Sequence, residues 1–163
     1  MTEERYKRCI DFVTATKRRR AVFAAVYKVL PVVVFAAYPV LLITLFLNKD
    51  SRLLACILVP LFMFVTLTIA RYFINAQRPY EKFDISPVFP KSTVGKSFPS
   101  RHTASAAVIA FTILYVSPPF GAAFVAIALL IAASRVIGGV HFPKDVIAGI
   151  LYAALCAVAL IFI

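Results

Sequence analysis

From Ala21 to Ile163 the chain is a succession of apolar runs separated by short polar or proline-bearing links. A helix needs ~20 residues to cross a hydrocarbon core of ~30 Å. Backbone groups at that depth must be satisfied within the segment, so runs of this kind fold as helices. Five spans are expected, around Ala21–Leu47, Arg52–Asn75, Ser100–Ser117, Pro119–Gly138 and Lys144–Ile163. The fold class is therefore all-α, a polytopic membrane helix bundle of about five transmembrane helices. Pro31 and Pro39 are expected to kink the first span, and Pro118-Pro119 to split one long apolar run into an antiparallel pair. The composition agrees, because 62% hydrophobic and 15% charged residues are too apolar for a water-soluble domain of 163 residues. The formal charge of +11 then suits an anionic membrane surface rather than a nucleic acid.

The stretch before the first span has a different character. Thr2–Arg20 mixes charges with Tyr6, Cys9, Ile10, Phe12 and Val13, the pattern of an amphipathic helix lying on the membrane surface, with a floppy tail as the alternative. The chain thus divides into a basic amphipathic segment, residues 1–20, and a transmembrane domain, residues 21–163. The run Lys17-Arg18-Arg19-Arg20 precedes an apolar stretch too long for a signal-peptide core, so that stretch is expected to stay in the mature protein. Cys9, Cys56 and Cys156 are widely spaced, form no metal or redox motif, and read as buried apolar side chains.

Alternation of five spans gathers every polar motif on one side. That side holds the N-terminal segment, the proline-rich Gln77–Pro99 link and the Gly139–Pro143 link. Sixteen of the eighteen Lys and Arg fall there, against Lys49 and Arg52 on the other side. The positive-inside rule therefore predicts a multi-pass protein of the cell membrane with this side in the cytoplasm.

Three clusters on that side are candidates for chemistry: Arg71 with Arg78-Pro79, Pro99-Ser100-Arg101-His102, and Ser134-Arg135 with His141 and Asp145. A histidine at a helix end is most often a structural group. Ionisable side chains at membrane depth are costly, however, and several of them around both histidines of the chain point to function. Arg71, Arg78 and Arg135 supply planar forks that match phosphate oxygens. Ser100 is placed to N-cap the third span, where its hydroxyl and the free N–H groups make an anion site. Lys96 and Arg101 add nearby charge as possible headgroup contacts. His141 and Asp145, four apart, suit a carboxylate that fixes the imidazole tautomer and leaves the other nitrogen to attack. His102 would protonate the departing alkoxide. Glu81, Asp84 and Asp145 are too few acids for a two-metal site, and arginines repel a lone zinc, so no metal is expected.

The three clusters resemble the signature motifs of the type 2 phosphatidic acid phosphatase family, K-x6-R-P, P-S-G-H and S-R-x5-H-x3-D. The chain reads R-Y-F-I-N-A-Q-R-P from Arg71, P-S-R-H from Pro99 and S-R-V-I-G-G-V-H-F-P-K-D from Ser134. Arg71 stands in place of lysine and Arg101 in place of glycine. The resemblance implies a lipid phosphatase, acting on a lipid phosphate or a polyprenyl diphosphate such as undecaprenyl diphosphate. His141 would be the nucleophile forming a phosphohistidine, Asp145 its orienting partner and His102 the general acid. Arg71, Arg78, Ser100 and Arg135 would hold the phosphate, with no cofactor. The expected partners are a membrane lipid phosphate and the bilayer, with no nucleic acid. The family commonly has six transmembrane helices, so its usual first helix would be missing here or replaced by the amphipathic segment. The rival is a non-catalytic lipid-binding or scaffold protein of the same fold, against which the intact His102, His141 and Asp145 speak.

Overall fold

The structure, a computed structural model, describes residues 1–162. Seven α-helices are found among them: α1 (Glu3–Thr14), α2 (Lys17–Leu47), α3 (Leu53–Ile74), the single turn α4 (Pro79–Lys82), α5 (Arg101–Val116), α6 (Pro118–Ile137) and α7 (Pro143–Ala157), which tightens into a 3-10 turn over Val158–Ile161. The stretches containing α2, α3, α6 and α7 are long and apolar enough to cross a membrane. The expected third span, α5, has only 16 residues. Its position accounts for that length: α5 is the axis of the bundle, packed against α2, α3, α6 and α7. Nearly every side chain from Thr103 to Ile113 is buried by protein rather than facing lipid.

Small residues make this possible. Ala104, Ala106, Ala107 and Ala110 let neighbouring backbones approach closely, as interfaces between membrane helices require. On α7, Gly149 faces the first turn of α5, where a Cβ would lie 2.9 Å from the Ser100 carbonyl oxygen. That contact seats α7 against α5 and allows the Ser100 N–H to bond the Asp145 carbonyl at 2.8 Å. The outer faces are the converse. Phe62, Phe73, Leu151 and Leu155 are each at least 60% exposed, an apolar surface that only a bilayer covers.

Helix α2 begins at Lys17, before the expected onset of the first span. Arg and Lys are good helix formers, and the Thr16 hydroxyl caps the helix by accepting from the Arg19 N–H at 3.2 Å. Where Pro31 and Pro39 are expected to kink this span, a single widened turn, Ala25–Val29, lies just ahead of Pro31. Proline has no N–H for the carbonyl four residues back. That carbonyl, of Tyr27, accepts instead from Arg135 Nη2 at 3.1 Å.

The long link between α3 and α5 is tied down rather than loose. Asn75 ends α3 in the left-handed conformation. The Glu81 carboxylate accepts from the N–H of Arg78 at 2.8 Å and of Gly95 at 2.9 Å, drawing the two ends of the loop together. Gly95 has φ +64, and a Cβ there would strike the Asn75 side chain. The Ser97 N–H bonds the Ala76 carbonyl at 2.8 Å, which brings Lys96 and Ser97 over the start of α5.

Candidate active site

His141 lies in the short link between α6 and α7, with 2% of its surface exposed. Its Nδ1 is 3.5 Å from Asp145 Oδ2 and 3.3 Å from Ser97 Oγ. The Ser97 hydroxyl in turn donates to the same Asp145 oxygen at 2.5 Å. Asp145, fully buried in the first turn of α7, also accepts from the Phe142 N–H at 3.0 Å, which locks its rotamer. A carboxylate and a hydroxyl bound to it thus both face Nδ1, so the proton of the neutral imidazole belongs there and the Nε2 lone pair is free. Burial pushes the His141 pKa down to about 4, opposed by the bond to Asp145 and reinforced by the charges of Arg78 and Arg71. At neutral pH the ring is uncharged.

Arg71 at the end of α3, Arg78 just before α4 and Arg135 at the end of α6 are all buried, and all line a cavity of about 330 Å³ together with His141 and His102. None of the three is ion-paired with a carboxylate among the described residues. Backbone carbonyls orient them instead. Arg71 Nη1 donates to the carbonyls of Pro99 and Ser97, and Arg78 Nε to that of Gly95 at 3.0 Å. Arg135 reaches the Tyr27 carbonyl, stacks its guanidinium 4.0 Å from the centre of the Tyr27 ring, and leaves its buried Nε without a partner. Burying one unpaired charge is expensive, and three around one cavity make a strong anion site. His102, in the first turn of α5, opens on the same cavity from its exposed side.

Lys96 and Arg101 line this cavity as well. Ser100 does not. It stands at the N-cap position of α5 as the sequence suggests, but it is fully buried and its hydroxyl pairs with Thr103 Oγ1 at 3.0 Å, making no cap bond. Four residues escaped the sequence reading. Ser97 joins His141 and Asp145, and Lys91 and Tyr27 line the cavity. Tyr6 of α1 is fully buried, with its hydroxyl donating to the His141 carbonyl at 3.0 Å. The amphipathic segment therefore packs onto the back of the His141 link. The one available signal for Ser97 was its place two residues before Pro99-Ser100.

Below the cavity an apolar groove of about 370 Å³ runs between α2, α3 and α5. On α3, Leu61 and Phe64 line the groove, while Thr68 and Arg71, one and two turns beyond Phe64, line the cavity. On α5 the same face passes from Arg101 and His102 to Ser105, Val108 and Ile109. Cavity and groove are two stretches of one helical face.

Residues 53–163 match the model of the PAP2 superfamily. The chain belongs to this superfamily. Its PAP2 relatives include lipid A 1-phosphatases of Rhizobium johnstonii, 39% identical over 77 residues, and of Rhizobium etli, 39% identical over 75 residues. These alignments cover 46% and 45% of this chain, and the matched stretch spans under a third of the length of these curated relatives. Among solved structures the fold is similar to Aquifex aeolicus LpxE, with a TM-score of 0.66 and 26% identity over 88% of this chain and 94% of that one. It is also similar to a PAP2-type phosphatidylglycerolphosphate phosphatase from Bacillus subtilis, with a TM-score of 0.59 and 22% identity over 96% of this chain and 90% of that one. The bundle is thus a multi-pass PAP2 membrane fold.

Proposed function

We propose that this PAP2 protein is a metal-independent membrane phosphatase that hydrolyses a lipid phosphate through a phosphohistidine at His141. The observation that carries the reading is the set of three buried arginines, without carboxylate partners, around a cavity into which an Asp145-held neutral imidazole faces. His141 Nε2 donates its lone pair to phosphorus, the bond from phosphorus to the lipid oxygen breaks, and His102 protonates the leaving oxygen. Asp145 stabilises the charge that the imidazole gains. Arg71, Arg78 and Arg135 hold the equatorial oxygens, where fixed cations in a water-poor site act most strongly on the transition state. Water, deprotonated by His102, then attacks the phosphohistidine, the phosphorus–nitrogen bond breaks and orthophosphate leaves. A cavity lined by cations and no carboxylate favours this route over a divalent metal.

The groove that continues the cavity supports a substrate with an apolar chain. Its relatives named as lipid A 1-phosphatases favour a lipid monoester as the first substrate class to try. The cation bias of the cavity side supports a cytoplasmic site, which labelling of single cysteines in the 75–100 link of sealed cells would test. For the activity itself, purified protein in detergent with EDTA is expected to release phosphate from one of a lipid A 1-phosphate, phosphatidylglycerol phosphate or phosphatidate, and His141→Ala to abolish release. Acid-labile, alkali-stable phosphate on the protein during turnover would identify the phosphohistidine. Loss of activity in EDTA, or undiminished release by the variant, would refute the mechanism, and no release by either would favour the non-catalytic reading.

A further inference from the structure

Beyond the three buried arginines, three more cations line the same cavity: Lys91 and Lys96 from the long link and Arg101 from the first residue of α5. No Asp or Glu lines it. The acids of this side are engaged elsewhere or belong to other surfaces, Glu81 with the N–H groups of Arg78 and Gly95, and Asp145 behind His141 with Ser97 and Phe142. A phosphate monoester carries about −1.5 to −2 at neutral pH, a charge that the three buried arginines already match. Three further cations at one mouth, repelling one another with no acid between them, call for more negative charge than one phosphate brings.

Two of the outer cations are held by aromatic faces, which fix a cation while leaving its N–H groups free for an anion. Lys96 Nζ is 5.1 Å from the centre of the Tyr72 ring, and the Arg101 guanidinium 5.9 Å from that of Phe64. Lys96 is also kept at φ +53, a left-handed conformation unfavourable for a lysine, between Gly95, whose carbonyl holds Arg78, and the buried Ser97. Lys91 lines the cavity together with Arg78 and Arg135, and burial and these two charges hold its amine below its usual pKa. Lys17, Arg18, Arg19 and Arg20, the cations of a membrane-surface face, do not line the cavity.

We propose that Lys91, Lys96 and Arg101 form a second anion subsite, which takes a second phosphate or phosphodiester of the same substrate while the buried arginines hold the phosphate being cleaved. The proposal rests on the phosphatase reading and narrows it to lipids whose headgroup carries two phosphorus groups, adjacent in a diphosphate or spaced along the headgroup.

Phosphatidylcholine nanodiscs, which supply no anionic lipid, allow the test. Two matched pairs are compared: a prenyl diphosphate with the monophosphate of the same chain, and phosphatidylglycerol phosphate with phosphatidate. The intact protein is expected to favour the member with two phosphorus groups in at least one pair by tenfold or more in kcat/KM, and the winning pair gives the spacing. Lys91→Gln/Lys96→Gln and Arg101→Gln should each cut that ratio by severalfold, lowering kcat/KM for the member with two phosphorus groups more than for the member with one. No preference in either pair, or an equal loss for both members, overturns the subsite. If no lipid is hydrolysed, the phosphatase reading fails on its own, and binding decides the subsite without turnover. Pyrophosphate or glycerol 1,3-bisphosphate should then bind at least tenfold more tightly than orthophosphate by calorimetry, with the advantage lost in Lys91→Gln/Lys96→Gln; affinities equal to that of orthophosphate for both overturn it.

Discussion

Ser97 touches three of the groups that the chemistry needs: its hydroxyl meets His141 Nδ1 and Asp145, and its carbonyl accepts from Arg71. Ser97→Ala keeps the carbonyl and removes the hydroxyl, so the imidazole loses one of the two groups that orient it. Steady-state assays should show kcat falling about tenfold or more with a smaller change in KM, and Ser97→Thr restoring most of it. The same dyad sets an acid limb. With the His141 pKa lowered to about 4 by burial, protonation blocks the lone pair only near that value. Log kcat/KM measured against pH should therefore lose activity to His141 only as pH falls toward about 4, and not near the 6.5 of an ordinary imidazole. Asp145→Asn would keep an acceptor oxygen but remove the charge that opposes burial and leave the imidazolium unbalanced, lowering kcat by about 100-fold or more. The motif residues of this site were legible in the sequence because each motif is local, with a spacing that one helix end or one turn enforces. Ser97, Lys91 and Tyr27 were not, because what brings Ser97 to His141 and Asp145, and Lys91 and Tyr27 to the cavity, is the folding of the long link and the packing of α2 on α6. Ser100 was legible as an N-cap position but not in its side-chain partner, since Thr103 lies one turn along the same helix.

Helix α1 carries Tyr6 from the far end of the sequence to the back of the His141 link, where its ring packs edge-on to Phe142 with centroids 6.1 Å apart. A surface helix is thereby made part of the site's support. Tyr6→Phe keeps the ring and strands a buried carbonyl, which costs about 1–3 kcal/mol. Thermal unfolding in detergent should shift downward, and kcat should fall through the loosened link. Restored activity on reducing assay temperature would separate that loosening from a direct chemical role. The amphipathic pattern of α1 was readable from its alternating charges and apolar residues, whereas its docking was not, because a lone tyrosine in such a segment carries no sign of its partner. The spans were legible from hydropathy, yet hydropathy stops at charges while a helix does not, so α2 starts at Lys17 and not at Ala21. The short α5 follows from its place inside the bundle, where protein and not lipid sets the length.

At the scale of the whole molecule, the features that the sequence kept apart form one path. The cations of the links and the arginines at the ends of α3 and α6 line the cavity, and the groove between α2, α3 and α5 lies further along the same faces of α3 and α5. If a lipid chain lies in that groove while its phosphate meets His141, filling the groove should discriminate by chain length and leave the chemistry intact. Ser105 is suited to this, being small, buried and on the α5 face one turn beyond Arg101 and His102. Ser105→Phe adds a ring where the chain would pass. For a long-chain substrate kcat/KM should fall by about tenfold or more, carried mainly by KM, because binding to the remote chain is what the ring obstructs. A substrate with a chain of a few carbons, which ends before the obstruction, should retain kcat/KM within about twofold. Equal losses for long and short chains would place the damage at the cavity itself and remove the groove from the substrate's path.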